Sequence, residues 1–200
     1  MVELVDTPAL GAGGPGGPWR FESSRPHLPG SELARTGLHL RLAEPADAER
    51  IARLHADSWR RHYRGAYSDA FLDGDVLADR VAVWTDRLRE PDPGRFTILA
   101  EDAGLVGFAN TVFDDDPAWG ALLDNLHVAD GHKRRGIGSR LLALTVEAVI
   151  ERPEGSGLYL WVLEQNVDAQ AFYEARAGNA CSDARHRRPA GSPAGSPDRR

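Results

Sequence analysis

The stretch HKRRGIGSRLL (132–142) decides how this chain is read. Lys133, Arg134 and Arg135 stand against Gly136 and Gly138, and an apolar helix starts at the second glycine. The first backbone N–H groups of a helix have no intrahelical acceptor, and the helix dipole adds partial positive charge there. A phosphate docks directly on such an end. Gly136 and Gly138 remove the Cβ atoms that would hold a ligand off, and the cations attract several phosphates. The same residues also fit a solvated basic turn. The spacing matches neither the Rossmann G-x-G-x-x-G nor the P-loop, which needs Gly-Lys-Ser/Thr. The surroundings must decide.

Upstream, GALLDNLHV (120–128) predicts a strand running into the basic loop. RFTILAE (95–101) and GLVGFANTVF (104–113) predict a hairpin across Asp102-Ala103, with DDDP (114–117) as the following turn. Further back, Leu38, Leu40 and Leu42 alternate with His39, Arg41 and Ala43, a half-buried strand. Pro45 and Asp47 open a helix carrying Ile51, Leu54, Ser58 and Trp59. A second helical region is expected from Ser68 to Arg89, with Phe71, Leu72, Val76, Leu77, Val81, Trp84 and Leu88 as its apolar stripe. Downstream, Ile137, Leu141, Leu144 and Ala148 share one helix face, ended by Pro153 and Gly155. GLYLWVL (157–163) reads as a strand buried on both faces. NVDAQAFYEARAG (166–178) reads as a last helix, with Asn166 as N-cap and Gly178 as stop. The order β-α-α-β-β-β-α-β-α describes an α/β domain over residues 37–178.

The two ends have another texture. Residues 1–36 hold GAGGPGGP and no apolar periodicity, so a disordered leader is expected. Its VELVDTPALGAGGPGGPWRFESSRP also resembles the peptide made when a transfer RNA gene is translated, which would put the true start near Ser31. Residues 179–200 lack Val, Ile, Leu, Met, Phe, Trp and Tyr, and a disordered tail is expected. The net charge of −6 argues against a dedicated nucleic-acid binder. The single cysteine, Cys181, excludes an internal disulfide and a cysteine-based zinc cluster. No apolar run is long enough to span a membrane, and no signal peptide is legible, so a cytoplasmic protein is expected.

Taken together, Lys133-Arg134-Arg135-Gly136-Ile137-Gly138 and the later block Asn166, Ala169, Phe172 and Tyr173 resemble the GNAT family of acetyl-CoA-dependent N-acetyltransferases. The family's loop reads Gln/Arg-x-x-Gly-x-Gly/Ala, and this chain departs from it with Lys133. The resemblance covers residues 37–178. It implies a mixed, mostly antiparallel sheet flanked by helices, and a chain that lacks the family's usual final strands, as a truncated or frameshifted C terminus would.

The resemblance implies that amides of Arg134, Arg135, Gly136, Ile137, Gly138 and Ser139, beside Lys133, hold the coenzyme A pyrophosphate. The pantetheine arm would run along Leu126, His127 and Val128, with Asn166 touching it. Tyr173 would protonate the leaving thiolate as general acid. A primary amine, on a small molecule or a peptide, would attack the thioester directly, without a metal. A homodimer is compatible with this reading, and nucleic-acid or membrane partners are not expected. Each residue also has a plain reading: Tyr173 as core, Asn166 as a cap. Asp124 is a candidate base or a structural carboxylate, and His127, placed on the opposite face, packs in the core or on the coenzyme. The rival function is a truncated fold that binds coenzyme A without turnover; a nucleotide-binding regulator would instead need ATP to compete with the coenzyme.

Overall fold

Alternation along the middle strands sorts the core onto the two faces of one sheet. The computed structural model describes residues 37–152, 157–163 and 166–176, together with the backbone of residues 19–21. The strands are β1 (Trp19–Phe21), β2 (His39–Leu42), β3 (Arg95–Glu101), β4 (Leu105–Asp116), β5 (Gly120–Val128) and β6 (Leu158–Leu160). Their spatial order is β1-β6-β5-β4-β3-β2. Every pairing is antiparallel except β5 with β6. The helices are α1 (Ala48–His62), α2 (Asp69–Asp73), α3 (Val76–Arg87), α4 (Ile137–Ile150) and α5 (Val167–Glu174).

On one face, Ile98, Ala100, Ala109, Leu126 and Val128 meet Leu141, Leu142 and Tyr173 of α4 and α5. On the other, Leu99 and Phe108 meet Ile51 and Ala52 of α1 and Trp84 of α3. Successive residues Leu99 and Ala100, or Phe108 and Ala109, go to opposite sides, as the two-residue period of a strand requires. Gly107 lets α4 lie close on β4: an added Cβ would stand 3.2 Å from both Ile137 Cγ2 and Leu141 Cδ1. A third cluster, Trp59, Tyr63, Leu72 and Val76, ties α1 to α2 and α3, and Leu163 beyond β6 packs on it.

Four features differ from the sequence reading. The helical region expected from 68 to 89 is two helices. Ser68 Oγ accepts from Phe71 N (3.3 Å) to start α2, and Gly74 N–H donates to Ala70 O to end it. The acidic run 114–116 is not the turn but the end of β4. The reversal follows it, where Asp116 Oδ1 accepts from Ala118 N (2.8 Å) and Trp119 N (3.1 Å). The strand expected over 157–163 is paired only at Leu158–Leu160. Trp19–Phe21, expected to be disordered, form a strand antiparallel to β6. The physical reason is the edge: without β1, the outer side of β6 would present unpaired backbone groups. The rest of the leader, Gly178 and the tail lie outside the described residues.

Candidate active site

The basic loop is built from the end of β5. Ala129 N–H donates to Val106 O (2.8 Å), which holds the loop's first residue to β4. Asp130–His132 form a 3-10 turn, and Lys133 N–H returns to Asp130 O (3.3 Å). The chain then passes through two left-handed residues, Arg134 (φ 62°) and Gly136 (φ 79°). Gly136 is the N-cap of α4, and nothing lies within 4 Å of where its Cβ would be. The glycine is therefore required by its backbone conformation, and the space above it is open. Among the described residues no side chain caps α4, and its first turn carries no acid. Its leading N–H groups have no intrahelical acceptor and no side-chain cap, which suits a pyrophosphate.

The strands beside the loop part at the same end. β5 and β6 pair only at Ala121–Leu158 and Leu122–Tyr159. From Leu123 onward, the β6-facing backbone of β5 has no pairing to β6 among the described residues. A linear amide-bearing arm can be paired there as an added strand.

Asp124 sits in a β-bulge. The β4–β5 register passes from Asn110↔Asn125 to Thr111↔Leu123, so Asp124 is the extra residue. Leu123 and Leu126, three apart, consequently share the α4-side core. Asp124, Asn125 and His127 all face the α1–α3 side, which corrects the placement of His127 opposite Asp124. Asp124 Oδ2 lies 2.9 Å from Arg87 Nη1 and accepts from Asn110 Nδ2 at 3.1 Å. Arg87 also donates to Asn125 Oδ1 (3.3 Å) and covers the Trp84 ring. His127 is fully buried, with Nδ1 3.0 Å from Ser58 Oγ and its ring against His55 and Phe108.

Tyr173 is also fully buried. It shares one cluster with Leu126 and Val128 of β5 and Leu158 and Leu160 of β6, the two strands that part. Burial drives its hydroxyl well above the ordinary tyrosine value, so it remains a proton donor at neutral pH. Asn166 caps α5, with Oδ1 accepting from Ala169 N (3.1 Å). Ser139 Oγ accepts from Arg176 Nε (2.9 Å), and that guanidinium lies 3.8 Å from the Phe172 ring centroid. Lys133 Nζ pairs with Asp130 Oδ1 (2.8 Å) and reaches His62 Nε2 (3.3 Å). Arg134 and Arg135 are exposed. Arg87, Arg176 and His62 escaped the sequence reading. Their partners lie 37 to 71 residues away, so no local pattern marks them. Among the described residues no group of three or more His, Cys, Asp or Glu could hold a metal ion, and no helix is long and apolar enough to cross a membrane.

The model of the acetyltransferase (GNAT) family matches residues 49–178. A Mycobacterium tuberculosis protein, "Probable N-acetyltransferase Rv2775", is 26% identical over 145 residues, covering 70% of this chain and 79% of that protein. The Bacillus subtilis "Uncharacterized N-acetyltransferase YuaI" is 27% identical over 138 residues, covering 68% and 77%. In fold, the PaiA N-acetyltransferase of Thermoplasma acidophilum, solved in complex with coenzyme A, superposes with a TM-score of 0.59 at 19% identity, covering 70% of this chain and 88% of that one.

Proposed function

The chain belongs to the acetyltransferase (GNAT) family, and from that premise we propose that it moves an acetyl group from acetyl-CoA to a primary amine by direct attack. The observation that carries the reading is the uncapped N-terminus of α4, opened by left-handed Gly136, at the point where β5 and β6 part. The pyrophosphate sits on amides of residues 134–139. The pantetheine arm pairs with the β6-facing side of β5 along Leu126, His127 and Val128, which brings the thioester towards Tyr173.

The acceptor is a small-molecule or peptide amine. Its nitrogen lone pair forms a bond to the thioester carbonyl carbon, and the carbon–sulfur bond breaks. The departing sulfur takes the proton of the Tyr173 hydroxyl, which solvent later restores. A buried thiolate without that proton would be costly, since a free thiol titrates near about 8.5. The proton lost by the amine leaves through a strand carbonyl or a water chain. Asp124, held by Arg87, fixes the bulge in this reading rather than collecting that proton.

The test is thiol release from acetyl-CoA over a panel of amines, beside a thermal-shift titration with acetyl-CoA. Amine-dependent thiol release is the expected outcome. Binding without turnover on any amine supports a coenzyme-binding fold without catalysis, and absence of binding removes the proposal altogether.

A further inference from the structure

α1 carries a polar stripe that the proposed chemistry does not use. His55, Ser58 and His62 recur at helical spacing, and all three face the end of β5 and its loop. His55 packs its ring 4.6 Å from that of His127, and Ser58 Oγ meets His127 Nδ1 at 3.0 Å. One turn further on, His62 Nε2 lies 3.3 Å from Lys133 Nζ. An ammonium has only donors, so His62 accepts there and is neutral. Burial first, then the Lys133 charge, pushes His62 down to about 4, which keeps it an acceptor at neutral pH.

Lys133 is held from both sides. Asp130 Oδ1 lies 2.8 Å from Nζ, and the Asp130 carboxylate is itself 3.9 Å from Arg61 of α1. The Lys133 side chain is only 16% exposed, whereas the next two cations are exposed. The residue that opens the basic run is therefore turned into the protein, towards α1. Immediately after it the backbone enters the left-handed conformation at Arg134, which a non-glycine residue adopts at a cost. A side chain anchored one residue earlier helps hold the loop in that shape.

We infer that His62 is a positioning residue: by accepting from Lys133 it ties the coenzyme loop to α1 and fixes the loop's shape before a ligand arrives. The inference rests on the coenzyme reading only for what the loop then binds. The tie itself exists without ligand. It makes Lys133 a strut rather than a phosphate contact, and it gives α1 direct hold of the α4 N-terminus.

Three variants test it: His62→Leu removes the acceptor, His62→Gln keeps one, and Lys133→Met removes the donor. The first readout is amide hydrogen exchange over residues 130–136 in the ligand-free protein. His62→Leu and Lys133→Met should each speed it by about ten-fold or more, the least that one hydrogen bond to a charged group is worth, while His62→Gln stays near wild type. The double variant should match the singles, because both delete one contact. The second readout is coenzyme A affinity and kcat: His62→Leu should weaken binding by about ten-fold with kcat at saturation little changed. Loop exchange unaltered in His62→Leu overturns the inference. Should that variant not fold, unaltered exchange in Lys133→Met overturns it equally. A wild type that binds no coenzyme A, with exchange behaving as expected, sinks the coenzyme reading and leaves the tie standing.

Discussion

Asp124→Asn separates two jobs that the same carboxylate could perform. Asp124 Oδ2 accepts from Asn110 Nδ2 at 3.1 Å and pairs with Arg87 Nη1 at 2.9 Å. The two side chains of the pair are 9% and 20% exposed, so screening by water is weak. An asparagine keeps an acceptor for Asn110 and for Arg87 but loses the charge. A hydrogen bond to a charged group is worth about 1.5–3 kcal/mol and a neutral one about 0.5–1.5, so the expected loss is about 1–2 kcal/mol. For a domain of this size that lowers Tm by roughly 3–8 °C. Arg87→Met is the harsher partner, because it strands Asp124 as a buried charge; removing one member of a buried pair costs about 3–5 kcal/mol. The combination Arg87→Met with Asp124→Leu should recover much of that loss, since a well-packed apolar pair replaces the ions.

The assay is thermal melting beside steady-state acetyl transfer, run well below every midpoint. If Asp124 fixes the bulge, Asp124→Asn loses stability while kcat falls less than about ten-fold. Loss of a general base instead removes roughly 10²–10⁴ from kcat. A fall of that size with an unaltered Tm would refute the structural reading and make Asp124 the base.

Tyr173→Phe keeps the ring in its cluster and removes the hydroxyl; kcat should drop by roughly 10²–10⁴-fold with coenzyme affinity unchanged, and full turnover in this variant would make Tyr173 a core residue only. Gly138→Asp puts a carboxylate at the uncapped start of α4 and should weaken coenzyme binding by about 100-fold or more, beyond any single loss at Lys133; titration calorimetry on the two variants decides the order. His62 gives a pH signature. Its folded value, about 4, lies below the ordinary 6.5, so protonation favours the unfolded chain. Its share of stability is complete above pH 6.5 and is lost as pH falls from about 6.5 to about 4, and His62→Gln should flatten the melting profile in that window. Deleting residues 1–36 takes β1 from the outer side of β6; a small drop in Tm with intact coenzyme affinity is expected, and lost affinity would give the leader a part in the site.

What was legible in the sequence was local. The loop–helix junction at Gly136 needs no distant partner, because the groups it offers are backbone amides whose lack of an intrahelical acceptor follows from where the helix starts. The block from Asn166 to Tyr173 was legible for the same reason, one turn of cap and one helical face. What escaped depends on pairing across the chain. The bulge at Asp124 exists only in the register of β5 against β4, and it moves every later side chain of β5 relative to strict alternation, which is why His127 lands on the Asp124 side. Arg87 sits on the polar margin of an apolar helix stripe, where any cation would read as solvated. The break at Gly74 was visible as a glycine, but a single helical glycine does not announce a stop. Trp19–Phe21 carry no strand pattern of their own; the open edge of β6 makes the strand.

One asymmetry in the site explains why its glycines are a better signature than its side chains. Three polar side chains along the proposed coenzyme path are engaged inside the protein. Lys133 is bound to Asp130 and His62, Ser139 to Arg176, and Asn166 to the backbone of Ala169. The α4 N-terminus is the converse: its amides are uncapped, and Gly136 leaves open space above them. Under the proposed function, a site arranged in this way would recognise its anion through the main chain and use side chains to hold the main chain in place. Changing a side chain then loosens the frame by the worth of one contact. Changing Gly136 costs the left-handed conformation itself, about 1–2 kcal/mol for a residue with a Cβ. Gly136→Ala should therefore weaken coenzyme binding and shift Tm together, even though its methyl group touches nothing. A variant that keeps both would show that the loop reaches the same amide geometry without a left-handed residue, and the main-chain account of recognition would fall.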